Sequence, residues 1–287
     1  MQLERMSKHQ TGRSFTHGAY QLSYVVIGSG RMPLLAFHGF GQTGSVFETL
    51  LPQTDDRYTI YAIDLFFHGG SALPQSVCLS RETWWELIEA FLADQQIYRF
   101  ALLGFSLGGR FALSLTERFG NRLAECILIA PDGITYTRWY RLATTTWLGR
   151  ATFGFVLRHL SILYHVGQLL VNARLLDRSL LRFAELSLGT PAQRKLVYQS
   201  WVWFRQLCPD LTVVAAQLRQ HAVPVRFFMG LYDHIIPPAY LLPLTRQLAV
   251  YELTLIPTGH GRLIDKVAGW LGRKNHDKPI NWSPRDN

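Results

Sequence analysis

Residues 100–119 read FALLGFSLGGRFALSLTERF. The consecutive apolar residues 100–103 suit a strand covered on both faces, and 110–119 carry a helical pattern. Between them stands Gly104-Phe105-Ser106-Leu107-Gly108-Gly109, a G-x-S-x-G sequence at a strand-to-helix junction. Such a junction has to turn sharply. Gly104 and Gly108 lack side chains, which lets strand and helix approach while Ser106 takes a strained backbone conformation. The serine hydroxyl then stands above the sheet at the N-terminus of a helix, whose dipole favours developing negative charge. A glycine-rich turn with an incidental serine would need neither the strand before it nor the helix after it.

The same alternation extends in both directions. Residues 24–27, 33–37, 59–63, 126–130, 225–229 and 252–256 read as strands. Helical patterns lie between them at 81–94, 211–220 and near 240–247, and Ser80 can cap the first, with Glu82 and Glu86 favouring its opening turns. This order predicts an α/β fold, with a mostly parallel central sheet and helices on both faces. Residues 135–209 break the rhythm with helical periodicity, many aromatics and no strand. They read as an all-helical insertion dividing the core into 1–134 and 210–271, with 272–287 as a frayed C-terminal tail. Gly28-Ser29-Gly30 reads as a hairpin or loop, because the lysine of a phosphate-binding loop is missing.

A serine hydroxyl is a weak nucleophile and needs a base, which in turn needs an orienting acid. His260, in Pro257-Thr258-Gly259-His260-Gly261 after the last strand, is the candidate base. Asp233, in Gly230-Leu231-Tyr232-Asp233-His234, is the favoured acid, and Asp132, after the strand ending at Ala130, is its rival. Asp265 follows His260 too closely and reads as a helix-surface acid. An oxyanion would be held by the backbone N–H of Leu107, directly after the serine, and by that of Phe40 in the loop Phe37-His38-Gly39-Phe40-Gly41. His38 and His68, at strand ends, read as loop-shaping residues. No metal-ligand spacing occurs, so neither a metal nor another cofactor is expected.

Composition narrows the class. The chain has 287 residues, 48 % of them hydrophobic and 17 % charged, where an ordinary soluble domain has roughly 25 % charged. Disorder and coiled coil are excluded. Cys78, Cys126 and Cys208 are odd in number and widely spaced, which argues against a disulfide framework and for a reducing compartment. The first fifteen residues carry charges and no apolar run, so no signal peptide is expected and a cytoplasmic location is. The apolar window 152–171 contains Arg158, His159 and His165, too polar for a membrane span.

Taken together, His38-Gly39-Phe40-Gly41, the stretch from Asp64 to Ser71, Gly104 to Gly109, Gly230 to Asp233 with Pro237, and Gly259-His260 resemble the α/β-hydrolase superfamily, in particular its capped serine hydrolases. The resemblance spans about residues 20–270. It implies that Ser106, Asp233 and His260 form a catalytic triad and that 135–209 is a lid over the site. Serine at position 106 argues against the dehalogenases and epoxide hydrolases of this fold, which use aspartate. One departure is visible: relatives carry a Pro-Gly or similar pair after the Asp64 position, whereas this chain has Phe66 and Phe67, which would alter the pocket wall.

Charge is unevenly distributed. Residues 1–134 hold ten Lys+Arg and twelve Asp+Glu, residues 135–209 hold ten and two, and residues 210–287 hold nine and six. The net +9 therefore sits almost wholly in the insertion. Arg174, Arg178 and Arg182 recur every fourth residue along one helix face, either a solvated face or a funnel for anionic or lipid-dispersed substrates. Most of the insertion's aromatics should form its own core and a minority should roof an apolar pocket; Trp139 and Trp147, with Phe66 and Phe67, are candidate substrate or surface contacts. The expected activity is a cofactor-free serine hydrolase acting on small-molecule carboxylic esters of mainly apolar character. The basic insertion is a candidate contact for anionic lipid, and nucleic acid is not expected as a partner. A thioesterase, a carbon–carbon bond hydrolase, an acyltransferase or a triad-bearing receptor could carry the same residues.

Overall fold

The computed structural model describes residues 12–50, 57–74, 77–173, 184–185 and 187–271, with backbone alone at 139 and 161–163. Eight strands form one sheet: β1 (Arg13–His17), β2 (Tyr20–Ile27), β3 (Met32–Phe37), β4 (Tyr58–Ile63), β5 (Phe100–Phe105), β6 (Leu123–Ile129), β7 (Val225–Gly230) and β8 (Glu252–Ile256). Their spatial order is β1-β2-β4-β3-β5-β6-β7-β8. From β4 across to β8 every neighbour is parallel, while β1 and β2 add an antiparallel edge.

Each strand read from the sequence is present, several of them longer than the apolar run alone suggests. Strand β1 was not among them. Its sequence, RSFTH, is mostly exposed, so no buried face marks it; it exists because Gly18, at φ +57°, turns the chain back to pair with β2. Residues 28–30 are a loop and not a hairpin, since β4 lies between β2 and β3 and Gly30 bonds to Tyr58.

The described helices are α1 (Arg81–Asp94), α2 (Leu107–Phe119), α3 (Arg138–Thr145), α4 (Trp147–Arg158), α5 (Leu160–Asn172), α6 (Pro191–Trp203), α7 (Leu211–Gln220), α8 (Leu242–Thr245) and α9 (Leu263–Leu271). Helix α1 begins where expected, its Thr83 N–H bonded to the Ser80 hydroxyl at 3.1 Å. The helix expected near 240–247 is instead a 3-10 turn, Pro238–Leu241, running into the single turn of α8. Helices α3 to α6 follow one another between β6 and β7, and none of the described residues from 135 to 209 forms a strand. Among the described residues no helix is long and apolar enough to cross a membrane. Residues 272–287, read from the sequence as a frayed tail, lie outside the described residues.

All six residues of β5 are buried, so both faces of the sheet are covered there. Helix α2 crosses it closely, packing on β3, β5 and β6. That approach depends on glycine. A Cβ on Gly108 would run into the Phe37 carbonyl oxygen, and one on Gly104 would come within 2.7 Å of the Gly109 Cα. Neither neighbour is a side chain that could turn away. Gly108→Ala is therefore expected to destabilise the fold by at least ~3 kcal/mol, the upper end of ordinary overpacking. Gly269→Ala, in α9 with nothing within 4 Å, should instead stabilise it by up to ~1 kcal/mol. Thermal melting of the two variants against wild type checks the pair of signs.

Candidate active site

At the end of β5 the chain passes into α2 through Ser106, whose φ is +51° and ψ −119°. This non-glycine residue is held in an unfavourable region by its neighbours: its N–H donates to Ile129, and its carbonyl accepts from Gly109 and Asp132, both at 2.8 Å. The hydroxyl is thereby fixed at the C-terminal edge of the sheet. Asp233, after β7, and His260, after β8, come from loops at that same edge.

These three side chains meet. His260 Nε2 lies 2.9 Å from the Ser106 hydroxyl, and His260 Nδ1 lies 2.6 Å from Asp233 Oδ2. The Asp233 carboxylate is buried, and its other oxygen accepts the Ile235 and Ile236 N–H groups, both at 2.9 Å. An ionised carboxylate can only accept, so Nδ1 carries the imidazole proton and Nε2 is left to accept from serine. The ring of Phe105 stacks on His260 at 5.4 Å between centroids, fixing the plane of the imidazole.

Asp132, the rival acid, does not reach His260. Although β6 is nearer to β5 than β7 is, the Asp132 carboxylate is turned to Arg110, 2.6 Å from its guanidinium, and to the Gly133 N–H. Sequence reasoning passed over Arg110. It sits one helical turn beyond Ser106, is almost fully buried, donates to the Tyr140 hydroxyl at 2.6 Å and lies over the rings of Tyr136 and Tyr140. Its place beside a G-x-S-x-G serine, four residues along a helix, was the available signal.

Two amides suit an oxyanion. Leu107 opens α2, so its N–H has no partner within the helix. In the loop after β3, Gly39 N–H is taken by the Gln42 side chain and Gly41 N–H by His68 Nε2, leaving the Phe40 N–H between them. His38 and His68 shape this loop. His38 Nε2 accepts from Leu65 N–H at 2.9 Å and its Nδ1 donates to the Gly39 carbonyl at 2.7 Å, while His68 Nδ1 donates to Phe66. Each imidazole is thus neutral and ties residues 38–41 to residues 65–68. Among the described residues no three His, Cys, Asp or Glu side chains group to hold a metal ion.

Burial drives the His38 pKa from an ordinary 6.5 down to about 3, and it lowers that of His68 too. Below pH 6.5 the unfolded chain takes up protons that the folded chain refuses. Stability from these groups is complete above pH 6.5 and falls as pH drops towards 3. Thermal midpoints measured from about pH 7 to about pH 4.5 should fall more steeply in wild type than in His38→Gln, which cannot titrate.

Ser106 opens into a cavity of about 530 Å³. Its walls are mainly apolar, with Phe40, Leu107, Val156, Leu157, Leu188 and Ile235 among them, and Arg110, Asp132 and Ser200 are among the polar residues that line it. The size and character fit a small-molecule site. Of the aromatics between 135 and 209, Tyr136, Tyr140, Phe153 and Trp201 line it. Three other expected contacts do not. Phe66 is fully buried against Trp84 and Tyr20, Phe67 packs on Phe204, and Trp147 is 75 % exposed on the outer side of α4. Phe67 takes the left-handed conformation, φ +69°, where glycine would be at ease, and the Phe204 ring holds it there. Arg174, Arg178 and Arg182, and the side chain of Trp139, lie outside the described residues.

The model of a family described as the alpha/beta hydrolase fold matches residues 32–267. The chain belongs to that family. An uncharacterised hydrolase, YugF, of Bacillus subtilis is 23 % identical over 220 residues, 72 % of this chain and 75 % of that protein. A pimeloyl-[acyl-carrier protein] methyl ester esterase of Legionella pneumophila is 30 % identical over 110 residues, 38 % of this chain and 42 % of the esterase. Among solved structures, a hydrolase from Pseudomonas aeruginosa superposes with a TM-score of 0.65 at 19 % identity, covering 92 % of this chain and 97 % of that one. That last likeness speaks for the fold alone.

Proposed function

We propose that this α/β hydrolase is a serine esterase acting on carboxylic esters with mainly apolar acyl groups. The observation that carries the reading is the hydrogen-bonded row Ser106–His260–Asp233 opening into an apolar cavity. Ser106 Oγ attacks the ester carbon as its proton passes to His260 Nε2, and Asp233 stabilises the imidazolium so formed. The carbonyl oxygen, now an oxyanion, takes up the Phe40 and Leu107 N–H groups. Collapse of this intermediate breaks the carbon–oxygen bond to the alcohol, which leaves with the proton from His260. Water, deprotonated by the same imidazole, then releases the acid from the acyl-serine. Helices α3, α4 and α6 act as a lid, supplying part of the cavity wall through Tyr140, Phe153, Val156 and Trp201. Partial identity to a methyl ester esterase is in keeping with ester chemistry.

The test is a series of p-nitrophenyl esters and thioesters of increasing acyl length, with a fluorophosphonate probe applied in parallel. Labelling at Ser106 together with ester turnover that rises from acetyl to longer acyl groups is the expected result. Thioesters cleaved far faster than esters would move the reading to a thioesterase. A folded protein that neither takes the probe nor turns over any substrate would remove the hydrolase mechanism.

A further inference from the structure

The outer side of the α3–α5 region bears an unusual surface. On α4, Phe153, Val156 and Leu157 face the cavity, while Trp147 (75 % exposed), Leu148 and Phe155 point the other way, into solvent. Trp147, Ala151 and Phe155 are spaced by four residues and all exposed, so they form one stripe along the helix. Leu142 on α3 and Val166, Leu169 and Leu170 on α5 are exposed as well. A helix with large apolar residues on two opposite faces belongs between two apolar layers. Here one layer is the cavity, and among the described residues no second layer covers the other side.

Charge identifies the occupant. From residue 133 to residue 172 the chain has four arginines, Arg138, Arg141, Arg150 and Arg158, and no Asp or Glu. Three of them, Arg138, Arg141 and Arg158, are exposed. A second copy of the same face would set arginine against arginine with no carboxylate to answer it. An anionic bilayer supplies both complements: phosphates for the arginines, and an acyl region for a tryptophan, a phenylalanine and leucines at the interface. We infer that the outer face of α4, with its neighbours on α3 and α5, docks on an anionic lipid surface. Docking needs no catalysis. Resting on the esterase reading, it further implies that α4 separates bilayer from cavity and that acyl substrates reach Ser106 from the lipid phase.

The experiment is co-sedimentation of the full chain with phosphatidylcholine vesicles with and without about one-third phosphatidylglycerol. Wild type should bind the anionic vesicles at least tenfold more strongly than the neutral ones. Trp147→Ser/Phe155→Ser should lose at least tenfold of that binding while keeping its melting temperature and its hydrolysis of a water-soluble ester. With brominated acyl chains, tryptophan fluorescence should be quenched on binding, and Trp147→Phe should remove much of that quenching. Ser106→Ala should bind as wild type does, which separates docking from the hydrolase mechanism. Absent vesicle binding, or full binding by the double variant, overturns the inference. So does adsorption without quenching, or a dimer in light scattering that the double variant dissociates, since that would assign the face to a second copy.

Discussion

Ser106→Ala should lower ester turnover by ~10⁶, the loss seen when the nucleophile is removed from a serine triad. The fold should survive, because the hydroxyl bonds to His260 while the backbone at 106 is held by Ile129, Gly109 and Asp132. Alanine inherits the same φ of +51° and the same neighbours. The measurement is kcat on the best p-nitrophenyl ester, alongside thermal melting and fluorophosphonate labelling. A variant that melts like wild type, takes no label and retains at most a trace of turnover fulfils the expectation. One that keeps a tenth of the wild-type rate would place the chemistry on another group.

The second large effect is expected at Asp233. Asp233→Asn changes almost no volume, yet the surroundings dictate how the new amide must sit. Ile235 and Ile236 both present N–H groups to Oδ1, so the amide oxygen stays there and the NH₂ turns towards His260. That NH₂ can only donate, which makes Nδ1 the acceptor and moves the imidazole proton to Nε2. Nε2 then faces the Ser106 hydroxyl with a hydrogen and no lone pair. Turnover should fall by ~10⁴, as for the equivalent change in a serine triad. Melting should shift far less than the rate, because both N–H bonds to Oδ1 remain and the bond to His260 Nδ1 is kept with its direction reversed. Asp132→Asn should cost much less turnover, since the Asp132 carboxylate bonds to Arg110 and the Gly133 N–H, away from His260, and its only bond to Ser106 is made by the backbone N–H, which the change keeps.

Much of this site was legible along the chain because the elements that build it are local. The strand, elbow and helix from 100 to 119 announce themselves by an apolar run, glycine spacing and helical periodicity, and Ser80 marks the start of α1 by simple capping. Strand β1 escaped notice because its stability comes from pairing with β2 and not from a buried face of its own. Trp147 and Phe66 could not be placed along the chain for a related reason. An aromatic residue fills a pocket, a core or a surface equally well, and only packing distinguishes Phe66 beneath Trp84 from Trp147 on the outside of α4.

By itself the sequence determined the α/β alternation, the serine elbow and the identity of a histidine and two acids able to serve it. It did so because strand, turn and helix signals act over a few residues. Only the tertiary structure decided between the acids. Asp132 and Asp233 both follow parallel strands, so the sequence favoured Asp233 without excluding Asp132. Arg110, reached through the packing of α2 on β6, claims Asp132 and leaves Asp233 to His260. The same holds for α4, whose apolar residues could not be sorted into cavity wall and outer face until the sheet beneath it was in place.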